Sequence, residues 1–223
     1  MPDAFASGSM RTAHHMIDLT TPREQSKYVL KLSKDPRYNG QSYFEDVKMQ
    51  MIAKMYAEKY NAQDPPKHVD FVDVYVLQLI DRPTRPLCTV EPFIEGKYVK
   101  YNNNWDWVDD RRNTPQAFSH FTWIASGQAL LVCDIQGVGD RWTDPQIHTR
   151  DGRGLGEGNL GWSGIQRFFQ SHRCNVICQY LGLPVDNLKS PPGPDSPPGA
   201  GPVCQATVLD PTRVIYIYIY PTI

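Results

Sequence analysis

The chain carries no excess of either charge: 23 lysines and arginines stand against 24 aspartates and glutamates, for a net charge of -1 over 223 residues. No run of five basic residues occurs. A dedicated nucleic-acid binder would show a basic stripe, so that class of partner is set aside. Long apolar runs are missing too: no stretch approaches the ~18 residues needed to span a bilayer, and the first thirty residues lack the apolar core of a secretion signal. Cysteine is sparse. Cys88, Cys133, Cys174, Cys178 and Cys204 make five, an odd count at irregular spacing, unlike a secreted disulfide framework. These absences predict a soluble protein of a reduced, cytoplasmic compartment with no membrane or nucleic-acid partner. No internal repeat is present, and nothing in the pattern specifies an oligomer. The length suffices for one core or for two small lobes sharing a cleft.

What is present falls into two patterns. Up to about residue 90 the chain reads as a small sheet carrying one helix. Residues 27–32 are its clearest strand. Ser42 and Glu45 form an S-x-x-E capping box, and Phe44, Val47, Met51, Ile52, Met55 and Tyr56 follow as the apolar stripe of a helix. Residues 71–80 and 89–94 are rich in β-branched and aromatic side chains and read as strands, with 82–86 turning between them. From Thr114 the pattern becomes a helix (114–123), a buried strand (129–133) ending at Asp134, a glycine-rich loop and one long helix. Ser163 caps that helix, and Ile165, Phe168, Phe169, Val176, Ile177 and Leu181 form its apolar face. After Pro184 the composition shifts. Residues 190–201 (SPPGPDSPPGAG) read as a flexible linker, and 214–220 (VIYIYIY) as an uncharged β-prone tail, either a docking strand or an aggregation-prone extension.

Chemistry-bearing residues crowd the second half. Asp134 lies at the exit of a buried strand, a rigid support from which a side chain reaches solvent. Gln136 lies two residues on, so on an extended backbone both side chains share a face and suit two oxygen ligands of one Mg²⁺. Thr143-Asp144-Pro145 by itself reads as an ordinary turn. Residues 156–161 (GEGNLG) fit G-x-G-x-x-G, but no strand is expected in the lead-in 148–154 and no acid follows about twenty residues later, so a dinucleotide site is not supported. His172, Cys174 and Cys178 form H-x-C-x3-C. Two thiols four apart on a helix share a face and, with His172, can share a metal; the evenly weighted alternative is a buried thiol pair beside a surface histidine. His14, His15, His68 and His148 read as ordinary surface or core histidines.

Several segments together carry a stronger signal. DIQGVGD (134–140), TDPQIHT (143–149), GEGNLG (156–161) and SHRCNVIC (171–178) closely resemble the alpha-kinase family of atypical serine/threonine protein kinases. So do ASGSMR (6–11), YVLK ending at Lys31, YFEDVKMQMIAKMYAEKYN (43–61), PPKHVDF from Pro65, VEPFIEGKYVKYN from Val90 and TPQAFSHF from Thr114. The resemblance runs from about residue 5 to 184. It implies an α+β, two-lobed alpha-kinase-like catalytic domain over 1–188. The small lobe (about 1–90) would be mostly β with one helix and would lack its first strand; the large lobe (about 91–188) would be mixed and hold a structural zinc site. Residues 189–223 would be linker and tail.

The resemblance also implies a function: transfer of the γ-phosphate of ATP, with Mg²⁺, to serine or preferentially threonine of a protein substrate. Lys31 is similar to the family's phosphate-contacting lysine, and Arg11, in the loop from Gly8, would cover the phosphates. Glu91, opening the segment expected to join the lobes, and the backbone near Phe93 and Glu95 would contact adenine. Lys100 either reaches the nucleotide or, like Glu91 in the plainer reading, is a surface charge on a connector. Asp134 and Gln136 would hold Mg²⁺, and Asp144 would orient or deprotonate the substrate hydroxyl. Gly156, Gly158, Asn159 and Gly161 would meet the substrate peptide. His120 would be the fourth ligand beside His172, Cys174 and Cys178 in a closed Zn²⁺ site. A different reading keeps the zinc-stabilised fold as a binding domain without catalysis.

Overall fold

A computed structural model describes residues 4–8, 10–22, 26–35, 40–109 and 111–185. The expected linker and apolar tail, Cys204 among them, lie outside the described residues. Two compact units divide the rest: residues up to 47 with 72–94, and residues 48–71 with 95–185.

The first unit is built on an antiparallel sheet in the order β1 (Ala6–Ser7), β2 (Arg11–Ile17), β3 (Lys27–Ser33), β6 (Leu87–Pro92), β5 (Tyr75–Gln78). Its core gathers Met16, Leu30, Leu77, Leu79, Cys88 and Val90. The run 71–80, expected as one strand, is two. β4 (Asp70–Phe71) pairs in parallel with β10 (Arg141–Thr143) in the second unit's sheet, whereas β5 pairs with β6. A continuous β-prone composition cannot report that its halves serve different sheets. The turn before β6 is as expected, closed by Arg85 N–H donating to Arg82 O at 2.9 Å.

Helix α1 (Gly40–Asn61) begins before Ser42, which therefore lies inside the helix and is not its cap. The expected stripe is met in part: Tyr56 is in the core and Ile52 and Met55 pack against it. Phe44 and Met51 are exposed, while Met49, Ala53, Tyr56, Ala57 and Tyr60 enter the core of the second unit. The two alanines leave room for close approach, and Tyr60 meets Phe118 and Phe121 edge-on with ring centroids 5.6 and 5.4 Å away.

The second unit holds a sheet in the order β4-β10-β9-β7, with β9 Gln136–Val138 and β7 Val99–Lys100, and a separate antiparallel pair of β8 (Leu130–Cys133) with β11 (Gln146–Thr149). Helix α2 (Asn113–Ala125) is buried from Thr114 to Trp123, so its polar side chains must find partners inside. Gln116 and Ser119 meet Asn102 Nδ2, and Thr122 Oγ1 accepts from Val132 N at 2.9 Å, which ties the helix to β8. The single long helix expected after the glycine loop is two, α3 (Gly161–Ser171) and α4 (Val176–Tyr180). Ser163 is not the cap of α3; its Oγ donates back to Leu160 O at 2.7 Å. The break falls at His172, whose backbone is extended, and Asn175 Oδ1 caps α4 by accepting from Ile177 N and Cys178 N. No described helix is long and apolar enough to cross a membrane.

Candidate active site and metal centre

In the first unit Lys31 Nζ lies 2.7 Å from Glu91 Oε1, and both residues are buried. The register pairs Lys31 with Thr89 and Val29 with Glu91, so lysine and glutamate are diagonal neighbours on one sheet face. Glu91 thus sits inside β6 and is neither on a connector nor a surface charge. A charge-assisted contact of this kind holds a buried ammonium in place. Arg11 is salt-bridged to Asp46 of α1.

In the second unit the expected catalytic residues converge around one amide. Gln136 Nε2 lies 3.2 Å from Asp134 Oδ2, 3.2 Å from Asp134 O and 3.0 Å from Asp144 O. The expected reason for this was strand alternation, and that reason fails. Asp134 has φ +59°, off the extended backbone, and lies between β8 and β9, which belong to different sheets. Fixed hydrogen bonds hold the elbow instead: Ile135 N donates to Asn102 Oδ1 at 2.8 Å, and Tyr101 N to Ile135 O at 2.8 Å.

Lys100, paired across strands with Gln136, reaches Asp134 Oδ1 at 2.5 Å. Burial pushes the Asp134 carboxyl above its usual range, while Lys100 opposes that shift and the nearby Asp144 adds to it. A half-buried carboxylate already neutralised by one cation, with an amide group beside it, is the donor set a hard divalent cation takes. The three oxygens around Gln136 Nε2 fix the orientation of the amide, so Oε1 is the atom of this side chain that a metal would take.

The glycine loop is organised by side chains at its base. Asn159 Oδ1 accepts from Thr149 N and Gly161 N, each at 3.0 Å, and Asn159 Nδ2 donates to Thr149 Oγ1 and Gly154 O. The side chain of Asn159 is thus spent on the loop itself. His148, buried in β11, accepts the Leu160 amide at Nδ1. A strand therefore does precede G-x-G-x-x-G, contrary to expectation. It runs antiparallel to β8, so the parallel βαβ unit of a dinucleotide site is absent among the described residues.

His120, His172, Cys174 and Cys178 do meet, with one ligand atom from each all within 4.8 Å of one another. Cys174 Sγ is 3.7 Å from His120 Nδ1, and Cys178 Sγ is 3.7 Å from His172 Nε2. The edges of a tetrahedral zinc site with nitrogen and sulfur ligands are about 3.3–3.8 Å, so the four fit. The geometry is not that of two thiols on one helix. Cys174 lies in the turn ahead of α4, and the kink at His172 swings it inward. Burial, helped by His120 and Arg173, holds His172 down to about 4, and burial raises Cys178 to about 11. A neutral imidazole is ready to ligate, whereas the thiol must lose its proton to the metal. Asn175 Nδ2 donates to Asn113 O at 3.0 Å, joining the ligand turn to the start of α2. Of the other histidines, His68 is exposed and His15 stacks on Phe5 at 4.1 Å.

Sequence reasoning missed Gln50, Asn102 and His148 as organisers of these sites. Gln50 is 4 % exposed, and its Oε1 accepts from Asp144 N at 3.0 Å and Thr143 Oγ1 at 3.4 Å. The signal available was a polar residue on the truly buried stripe of α1, legible only once the phase of that helix is known.

Residues 6–178 match the Alpha-kinase family pattern. Myosin heavy chain kinase B of Dictyostelium discoideum is 53% identical over 191 residues, covering 85% of this chain and 26% of that protein. Eukaryotic elongation factor 2 kinase of Homo sapiens is 53% identical over 160 residues, covering 71% of this chain and 22% of that protein. The chain thus spans about a quarter of the length of these curated relatives. The crystal structure of the alpha-kinase domain of myosin heavy chain kinase A in complex with AMP aligns at a TM-score of 0.78 and 40% identity, over 83% of this chain and 90% of that one. With the family pattern spanning most of its length and its sheets and helices following a solved member, the chain belongs to the alpha-kinase family.

Proposed function

We propose that this chain is an ATP- and Mg²⁺-dependent protein kinase acting on serine, and preferentially threonine, of a protein substrate in the cytoplasm, with residues 1–188 as its kinase domain. The observation that carries the reading is the junction at Gln136, whose amide links Asp134 and the backbone of Asp144 within 3.2 Å. Phosphoryl transfer asks a protein for positioning and charge rather than for covalent chemistry. Lys31, steadied by Glu91, supplies a fixed cation for the phosphates, with Arg11 beside it in role. Glu91 and the backbone near Phe93 and Glu95 meet adenine. Asp134 and Gln136 would hold Mg²⁺, which when bound would neutralise phosphate charge. Lys100 exchanges its contact with Asp134 for the nucleotide.

Asp144 takes the proton of the substrate hydroxyl as that oxygen bonds the γ-phosphorus; the bond to the β–γ bridging oxygen breaks and ADP leaves. Gly156, Gly158 and Gly161 let backbone approach the substrate peptide, on a loop held by Asn159. His120, His172, Cys174 and Cys178 would bind one structural Zn²⁺, and as four protein ligands they would leave it no role in activating water.

The test is incorporation of labelled γ-phosphate into threonine-containing peptides. Asp144→Ala should lower turnover by about 10²-fold or more while nucleotide binding persists. Unchanged turnover would remove Asp144 from the mechanism. An intact parent chain that transfers no phosphate with Mg²⁺ would favour a binding domain that has lost catalysis.

A further inference from the structure

Asp144 is held in a backbone conformation that its own sequence does not favour. Its φ is +50°, in the left-handed region that residues other than glycine enter at a steric cost. The ladder between β9 and β10 ends one residue earlier, at the Thr143–Gln136 pair. Just past that end Gln50 holds the segment: its Oε1 accepts the Asp144 N–H at 3.0 Å and the Thr143 hydroxyl at 3.4 Å. On the other side of the residue, Gln136 Nε2 donates to Asp144 O at 3.0 Å. Met49, next to Gln50 on α1, puts its Sδ 3.4 Å from Gln146 Nε2, so the helix grips the segment at two points. Gln50 itself is 4 % exposed and cannot drift into solvent.

We infer that Gln50 is a positioning residue for phosphoryl transfer: by holding the Asp144 amide from α1 it keeps a left-handed backbone in place and so aims the Asp144 carboxylate at the substrate hydroxyl. The inference rests on the kinase reading above and adds to it a residue that touches neither nucleotide nor metal. A carboxylate turned by a small backbone rotation misses its proton, and misplacements on the order of 1 Å cost as much as 10²-fold in rate. Nucleotide binding does not depend on that aim.

The experiment compares the full chain with Gln50→Met, which keeps the length and loses the acceptor, and Gln50→Glu, which keeps an acceptor oxygen. With ATP, Mg²⁺ and a pool of threonine-containing peptides, Gln50→Met should lose about ten- to a hundredfold in kcat, with KM for ATP within twofold and folding retained. Gln50→Glu should recover most of that loss. In an Asp144→Ala background, Gln50→Met should bring no further fall in the residual rate, since the group it aims is gone. Should Gln50→Met fail to fold, Gln50→Asn, whose acceptor is withdrawn by one methylene, takes its place with the same expectations. Unchanged kcat, equal losses in kcat and in ATP affinity, or a further fall in the Asp144→Ala background would overturn the assignment. If Asp144→Ala alone leaves turnover intact, the kinase reading of that aspartate fails; if it abolishes turnover and Gln50→Met is silent, only the present inference fails.

Discussion

Two backbone groups decide the protonation of His148. Its Nδ1 accepts the Leu160 amide at 3.1 Å, so the proton rides on Nε2, which donates to Asn104 O at 3.0 Å. A second proton on Nδ1 would have to displace that amide, and burial already lowers the imidazole to about 4. The unfolded chain takes up the proton near 6.5, so between 6.5 and about 4 it binds more protons than the folded chain. Stability from this residue is therefore fully present above 6.5 and declines as pH falls, by ~1.4 kcal/mol per unit. Urea unfolding at pH 7 and pH 5 should show the parent losing about 2 kcal/mol more over the interval than His148→Leu. Parallel losses would mean that His148 is not kept neutral by the fold.

At the scale of elements, α3 and β11 meet across a glycine. A Cβ on Gly164 would lie 2.5 Å from His148 Nε2 and Cδ2, and that ring is pinned by hydrogen bonds on both sides. Helix propensity alone favours alanine over glycine by up to ~1 kcal/mol. Overpacking against a ring that cannot give should cost about 1–3 kcal/mol and reverse the sign. Denaturant midpoints of Gly164→Ala and parent decide between the two; a stabilised variant would show that α3 can slide off β11. The same contact explains how a strand and a helix fix both ends of the glycine loop, while Asn159 fills its base.

For the molecule as a whole, the largest single stabilising contribution is expected from the metal centre. Its candidate ligands come from α2, the end of α3, the turn after it and α4, so one ion would tie three helices together. Binding of structural zinc is worth roughly 10–16 kcal/mol in small zinc-finger peptides, as large as the stability of a typical domain. Elemental analysis should find one zinc per chain, and Cys174→Ser or strong chelation should yield insoluble or loosely packed protein. Well-folded, active protein without zinc would overturn the site.

Much of this protein is written locally in its sequence. The meeting of His120, His172, Cys174 and Cys178, the nearness of Asp134 to Gln136, and the existence of α1 and α2 were legible, because motifs and strong apolar content survive without knowledge of partners. The phase of α1 was legible only in part, since Tyr56, Ile52 and Met55 meet the core as expected and Phe44 and Met51 do not. The stripe of α1 is set by which side finds Phe118 and Phe121, and two alanines there outweigh the larger Phe44 and Met51. The division of 71–80 between two sheets, and the kink that makes α3 and α4 from one apolar run, answer to pairing and to the ligand turn rather than to propensity. Nor could spacing explain the junction at Gln136. Strand alternation predicted the right neighbours for the wrong reason, since the elbow at Asp134 is bent and held by Asn102, thirty-two residues away in sequence. Gln50 lies still farther from Asp144 along the chain, and only folding brings its carbonyl to the Asp144 amide just past the end of the β9–β10 ladder.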